Sequence, residues 1–262
     1  LLWFFDFLCI CTWHGKNHPQ SQYSSPANKM SSQNLMRFFH YLTLFTISSN
    51  FRPIMLDMHG NSPKTLRQEL LKQRKEFAAG SSYPYVKESL ISAIGEFLGN
   101  EGKLLRSIAL YWPIQDELDI RASLLGWASS DKGRRLALPY ARPDKHLDFY
   151  EWRDGDSLIP SKHGVPEPSP SNEDRPILDP DCIFIPCVGW SSSSANGKTH
   201  YWRLGYGGGY FDRTLSALRK KNPKLICIGI GFDWQKLNDA QWSAQTHDEP
   251  LDMLLTESSL LR

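Results

Sequence analysis

Between Arg203 and Arg213 the chain reads RLGYGGGYFDR, which places Gly205, Gly207, Gly208 and Gly209 within five positions. Glycine tolerates positive φ and lets backbone N–H groups approach an anion with no Cβ in the way. The arginines at the two edges add charge and forked donors suited to phosphate. Asp212 is a hard oxygen ligand of the kind Mg²⁺ takes alongside phosphate oxygens. The stretch is not a Walker A loop, because no Gly-Lys-Ser/Thr follows. It fails the dinucleotide pattern as well, since Tyr210 stands where Gly or Ala is needed. A plain strand-to-helix turn, with Asp212 and Arg213 pairing on the surface, is the competing reading. Four glycines set among aromatics, arginines and an aspartate favour phosphate over it.

Such a loop needs a scaffold, and the flanking sequence supplies one. Ser62-Pro63 before KTLRQELLKQRKEF predicts a helix start, with a serine cap and proline at the first helical position. Leu66, Leu70 and Phe77 fall along one stripe of that helix. VKESLISAIGEFL predicts a second helix, RSIALYWP a short buried strand ended by Pro113, and ELDIRASLLGWA a further helix. RRLALPY and LDFYEWR predict strands, followed by a long proline-rich loop, DGDSLIPSKHGVPEPSPSNEDRP. CIFIPCVGW then predicts a strand, TLSALRKK a helix aiming its amino terminus at the glycine loop, LICIGIGFD a strand, and LDMLLTE a last strand. The segment SSSSANGKTHYW reads as a solvated loop. Strands alternating with helices predict an α/β fold of three layers, α/β/α, with a mainly parallel sheet carrying helices on both faces. Functional loops of such sheets gather at the carboxyl ends of strands, where the glycine loop is expected.

The totals narrow the classes. At 262 residues, with 40% hydrophobic and 22% charged, the chain can bury a sizeable core. Its net charge of +2 asks for neither nucleic acid nor a membrane surface. The cysteines, Cys9, Cys11, Cys182, Cys187 and Cys227, form no CxxC pair, so neither a zinc site nor a disulfide framework is expected. A reducing, cytoplasmic setting follows. Residues 1–57 hold six charged residues and no glutamate. They read as a poorly ordered or non-native extension, with Met58 or an earlier Met as the true start, and 58–262 reads as one domain.

The glycine stretch resembles the signature of the 5-formyltetrahydrofolate cyclo-ligase family, also called 5,10-methenyltetrahydrofolate synthetase, close to R-L-G-Y-G-G-G-Y-Y-D-R. Only Phe211 differs from it. Further segments resemble the family in order: KTLRQELLKQR its opening Lys-x-x-Leu-Arg helix, ALYWPIQDELD its Glu-containing loop, LALPY and GDSLIPSKHGVPEP its middle region, and HDEPLDMLLTE its closing segment. The resemblance runs from about Ser62 to Glu257. Cys187 and Trp190 stand where many members have Gly and Phe, which removes no ligand.

The resemblance implies cyclisation of 5-formyltetrahydrofolate to 5,10-methenyltetrahydrofolate with ATP and Mg²⁺, releasing ADP and phosphate. ATP would phosphorylate the formyl oxygen, N10 would attack the activated carbon, and phosphate would leave. That route needs charge neutralisation and positioning more than a protein nucleophile. The resemblance assigns Lys64 and Arg67 to ATP phosphates, and Arg203, Leu204, Gly205, Tyr206, Gly207, Gly208, Gly209, Tyr210 and Phe211 to the nucleotide cradle. Gly207 to Gly209 also lie near the folate in this reading. Arg203, Tyr210 and Asp212 carry the catalytic role, Asp212 and Asp248 hold Mg²⁺, and Trp112 and Glu117 take the pterin end. Tyr111 and Trp152 read as core or rim, and Glu167 as either a site residue or a rigid-loop residue. The implied partners are 5-formyltetrahydrofolate and ATP, with no membrane, no nucleic acid and a monomeric protein. Two other functions fit the same residues: another ATP-dependent small-molecule ligase or phosphotransferase, or a non-catalytic nucleotide- or RNA-binding module.

Overall fold

In the computed structural model, which describes residues 62–171, 175–195 and 197–262, the Ser62 hydroxyl accepts from the Thr65 N–H at 3.3 Å and opens helix α1, Pro63–Ala78. The expectation for residues 1–57 lies outside the described residues. Helix α1 buries Leu66, Leu70 and Phe77, and the same stripe also carries Gln73 and Arg74. Helix α2, Tyr83–Gly99, buries Val86, Leu90, Ile94, Phe97 and Leu98. Helix α3, Arg121–Ser129, buries Leu124 and Trp127.

The strands are β1 Ser107–Ala109, β2 Arg135–Ala141, β3 Leu147–Trp152, β4 Leu158–Pro160, β5 Pro166–Pro168 and β6 Cys182–Pro186. They continue as β7 Gly189–Ala195, β8 Lys198–Leu204, β9 Ile226–Ile230, β10 Met253–Leu255 and β11 Leu260–Leu261, with helix α4, Tyr210–Lys221, between β8 and β9. Seven of these strands form one sheet in the order β11-β10-β9-β6-β1-β2-β3. The five from β10 to β2 are parallel, and antiparallel β11 and β3 close the two edges. This is the mainly parallel α/β sheet that the alternation of elements predicts.

Period-two alternation decides which layer each side chain joins. Along β6, Cys182 and Phe184 enter the core beneath α2 and α3, while Ile183 and Ile185 enter the core beneath α4. Burying each large apolar side chain contributes about 1.5–3 kcal/mol, and this strand supplies such side chains to both cores. Among the described residues, no helix is long and apolar enough to cross a membrane.

Several local expectations change in the fold. Strand β1 is only three residues long, and the segment from Leu110 to Ile120 is loop. Helical spacing from Glu117 onward becomes helix only at Arg121, because Gln115 and Asp116 adopt left-handed φ of 48° and 60°. Just before α3, the Asp119 carboxylate accepts from the Arg121 N–H at 3.1 Å, a local turn bond, while Ile120 caps the helix with no side-chain bond. The proline-rich loop contains the hairpin β4–β5, and Glu167 in β5 opposes Ile159. The run CIFIPCVGW divides after Pro186, and SSSSANGKTHYW is not a loop but most of the β7–β8 hairpin. Asn196-Gly197 is its hairpin signal, and Gly197 supplies φ of 75°. LDMLLTE is not last, since β11 pairs back onto β10.

Candidate functional site

The glycine loop leaves β8 and enters α4 directly, so Tyr210, Phe211 and Asp212 occupy the first turn of that helix. The loop therefore follows the β7–β8 hairpin rather than a strand of the main sheet. The hairpin is rooted at the carboxyl end of β6, where the Val188 N–H donates to the Leu204 carbonyl at 3.0 Å. Gly209 caps α4 with φ of 69°, a conformation that a side chain would strain. A helix amino terminus thus sits behind a loop of small residues, an arrangement that favours phosphate.

Two arginines converge on the loop from different elements. Arg67 on α1 donates from Nε to the Gly205 carbonyl at 2.7 Å. Arg203 on β8 donates from Nη2 to Asp212 Oδ2 at 3.2 Å and lies over the Phe211 ring at 5.1 Å. Burial pushes the Arg67 guanidinium below its ordinary value, Asp248 opposes that shift, and the neighbouring Arg203 charge adds to it. Two cations held close enough to disfavour each other mark a place where an added anion would be stabilising. Arg213 turns back to the Gly208 and Gly209 carbonyls, both at 3.0 Å, and thereby braces the loop. Lys64 is exposed in the first turn of α1, on the same helix as Arg67.

Gly205 is required by space. A Cβ there would lie 2.1 Å from Arg203 Nη1. Gly205→Ala is expected to push the guanidinium out of place and lower turnover by about 10- to 100-fold, with the melting temperature little changed. Steady-state kinetics with a thermal melt would check this, and wild-type kinetics would show that Arg203 does not need that position.

Asp212 is tied to the segment that carries Asp248, because the N–H of the next residue, Glu249, donates to Asp212 Oδ1 at 3.4 Å. Asp248 Oδ2 accepts from the Gln245 N–H at 2.8 Å, and the exposed His247 ring lies 3.8 Å from its other oxygen. Among the described residues, no group of three or more His, Cys, Asp or Glu is placed to hold a metal. Two carboxylates beside a phosphate cradle fit Mg²⁺ that draws its remaining ligands from phosphate and water, and do not fit an all-protein cage.

The other half of the site is the loop from Leu110 to Ile120. Glu117 is 8% exposed. Its Oε2 accepts from the Ile114 N–H at 3.0 Å, and its Oε1 accepts from the Tyr206 hydroxyl at 2.7 Å. Tyr206 belongs to the glycine loop, so this bond joins the two halves. Burial pushes the Glu117 carboxyl upward, while the Arg74 charge, the Ile114 N–H and the Tyr206 hydroxyl pull it back. Trp112 is half-buried, with the Arg121 guanidinium 4.1 Å from its ring and the Trp152 ring edge-on at 6.4 Å. The Tyr111 hydroxyl is buried on the Leu118 carbonyl at 2.7 Å, and its side chain lines the crevice beside Glu117. A crevice beside Glu117 is lined by Arg74, Leu90, Cys187, Phe232 and Gln235.

Three further placements complete the region. Glu167 is buried and accepts from the Ala141 N–H at 3.3 Å, while Lys162 and His163 of the same hairpin lie 5.8 and 6.1 Å from the Tyr210 ring. Cys187 and Trp190 are both buried. The Cys187 carbonyl accepts from Gln235, and the Trp190 indole donates to the Phe232 carbonyl. Arg74 and Gln235 are the buried polar residues of the site that the sequence reading missed. The available signal was an arginine within the apolar stripe of α1, two turns after Arg67.

Fold and site together define an α/β protein in which a glycine loop edged by arginines faces a buried carboxylate. The sequence profile of the 5-formyltetrahydrofolate cyclo-ligase family matches residues 59–257. The chain belongs to that family and is an enzyme of it. Three curated relatives are each named 5-formyltetrahydrofolate cyclo-ligase. The one from Mycoplasma pneumoniae is 35% identical over 77 residues, 29% of this chain and 39% of that protein. The one from Mycoplasma genitalium is 27% identical over 58% of this chain and 72% of its own length. The Haemophilus influenzae relative is 24% identical over 53% of this chain and 70% of its own length. A solved structure of a 5,10-methenyltetrahydrofolate synthetase from Aquifex aeolicus matches with TM-score 0.56 and 25% identity, over 76% of this chain and 92% of that one. A Mycoplasma pneumoniae 5,10-methenyltetrahydrofolate synthetase shares the fold at TM-score 0.56 and 22% identity, over 75% of this chain and 99% of that one.

Proposed function

We propose that this protein cyclises 5-formyltetrahydrofolate to 5,10-methenyltetrahydrofolate, consuming ATP in the presence of Mg²⁺ and releasing ADP and phosphate. The observation that carries the reading is the bond from the glycine loop's Tyr206 to the buried Glu117, which supports a nucleotide and a heterocycle binding side by side. Asp212 and Asp248 hold Mg²⁺ in this reading, and the ion supplies charge neutralisation at the phosphates when bound. Arg67, Arg203 and the loop N–H groups orient the terminal phosphoryl group, with Lys64 reaching it from the surface and Tyr210 at its edge. The formyl oxygen attacks that phosphorus and ADP departs. N10 then attacks the activated carbon, loses its proton, and the C–O bond breaks to release phosphate. Glu117 accepts hydrogen bonds from the amino-pyrimidine edge, and Trp112 offers a ring face beside it. The protein acts as a monomer in the cytoplasm, on two soluble substrates.

The deciding experiment follows near-ultraviolet absorbance with 5-formyltetrahydrofolate, with and without Mg·ATP. A conjugated methenyl band that grows only with Mg·ATP is the expected result. No band from folded protein that still binds ATP would keep the cradle and assign it to a different acceptor substrate. Neither band nor ATP binding would overturn both halves.

A further inference from the structure

Arg74 is 2% exposed, within the apolar stripe of α1. Every face of its guanidinium is used. Nε donates to the Gln115 carbonyl at 2.9 Å, Nη1 to the Cys187 carbonyl at 3.4 Å and Nη2 to the Tyr206 hydroxyl at 2.6 Å. Nη2 also lies 3.9 Å from Glu117 Oε1. One side chain thereby ties together the Glu117 loop, the end of β6 and the glycine loop. Its first acceptor, Gln115, begins the pair of left-handed non-glycine residues that bends the chain so that Glu117 returns inward. Left-handed backbone at such residues persists only where the surroundings hold it.

We propose that Arg74 is the positioning residue for Glu117, fixing both the loop that carries the carboxylate and the ionised state in which it meets the substrate. The proposal rests on the folate reading of Glu117 given above. The groups facing that carboxylate are Arg74 from α1, Tyr206 from the glycine loop, Tyr111 after β1 and Cys187 after β6. Burial pushes Tyr111, Tyr206 and Cys187 upward, the last to about 12, so all three are neutral near pH 7. Arg74 is the cation among these groups, and its charge offsets the burial of Glu117. A lysine at 74 would keep the charge and lose the fork, since an ammonium cannot hold three separated acceptors in one plane.

The test uses the full chain with ¹³C-labelled glutamate carboxyls, the Glu117 signal being assigned by its loss in Glu117→Gln. In Arg74→Gln its titration midpoint is expected to rise by about one pH unit or more. The acid limb of kcat/KM for 5-formyltetrahydrofolate should follow it upward, because the ionised carboxylate is the binding form. KM for Mg·ATP should rise less than KM for the folate, because Arg67, Arg203 and Arg213 hold the rest of the glycine loop without Arg74. Arg74→Lys should return the midpoint towards wild type yet leave KM for the folate about 5- to 10-fold raised. An unmoved Glu117 midpoint, with kcat/KM lowered equally at every pH, would make Arg74 a core filler and overturn the proposal. If Arg74→Gln does not fold, the lysine variant decides, and a wild-type folate KM in it overturns the proposal. The titration needs no turnover, so an inactive wild-type protein would sink the cyclo-ligase reading without touching this measurement.

Discussion

Asp212→Asn is expected to lower kcat by at least about 10³-fold, some 4 kcal/mol of barrier, while the protein stays folded. Asparagine keeps one acceptor oxygen, which can serve the Arg203 guanidinium at the Oδ2 position, and gives up the acceptor that the Glu249 N–H finds in Oδ1. It loses the negative charge that a divalent ion beside phosphate requires. Asparagine is chosen over alanine because Arg203 is only 8% exposed, and the amide oxygen still gives its guanidinium an acceptor although the counter-charge is lost. Initial rates across a Mg²⁺ series, with a thermal melt beside them, make the measurement. A normal rate from Asp212→Asn would remove the residue from the metal site and leave it as a surface partner of Arg203.

Glu117→Gln separates the two halves of the site. KM for 5-formyltetrahydrofolate is expected to rise about 10²-fold, close to 3 kcal/mol, with KM for ATP near wild type. The amide matches the carboxylate in shape but offers one acceptor oxygen in place of two. That oxygen cannot serve the Ile114 N–H, the Tyr206 hydroxyl and a substrate donor together. A cost in stability accompanies it. Removing one partner of a buried ion pair is worth about 3–5 kcal/mol, and here Arg74, only 3.9 Å away, would keep its charge without compensation. Urea unfolding reads that loss separately from kinetics. A rise in KM for ATP with folate binding unchanged would mean that Glu117 serves the nucleotide side instead.

The sequence carried the layered α/β architecture because its signals are local. Ser62-Pro63 starts a helix by capping geometry, and the alternation along Cys182 to Ile185 supplies two opposite apolar faces whatever the rest of the chain does. The make-up of the glycine loop was legible for the same reason, since the backbone freedom of Gly209 and the fixed charges of Arg203 and Asp212 belong to the residues themselves. The β7–β8 hairpin was hidden by its polar serines, whose strand character comes from pairing with β8 rather than from propensity. The loop at Gln115 and Asp116 was hidden too, because its left-handed backbone is held by bonds to residues distant in sequence.

What only the tertiary structure decided is which charges share a space. Arg67 and Arg74 sit on one helix with similar local sequence. Packing sends the first to the Gly205 carbonyl, and the second into a buried junction with Glu117 and Tyr206. Glu117 and Tyr206 are 89 residues apart in the chain, and no pattern of spacing announces their hydrogen bond. Residue type and local periodicity determine elements and candidate chemistry. The desolvation that gives Glu117 and Arg74 their importance exists only once the sheet and α1 have closed around them.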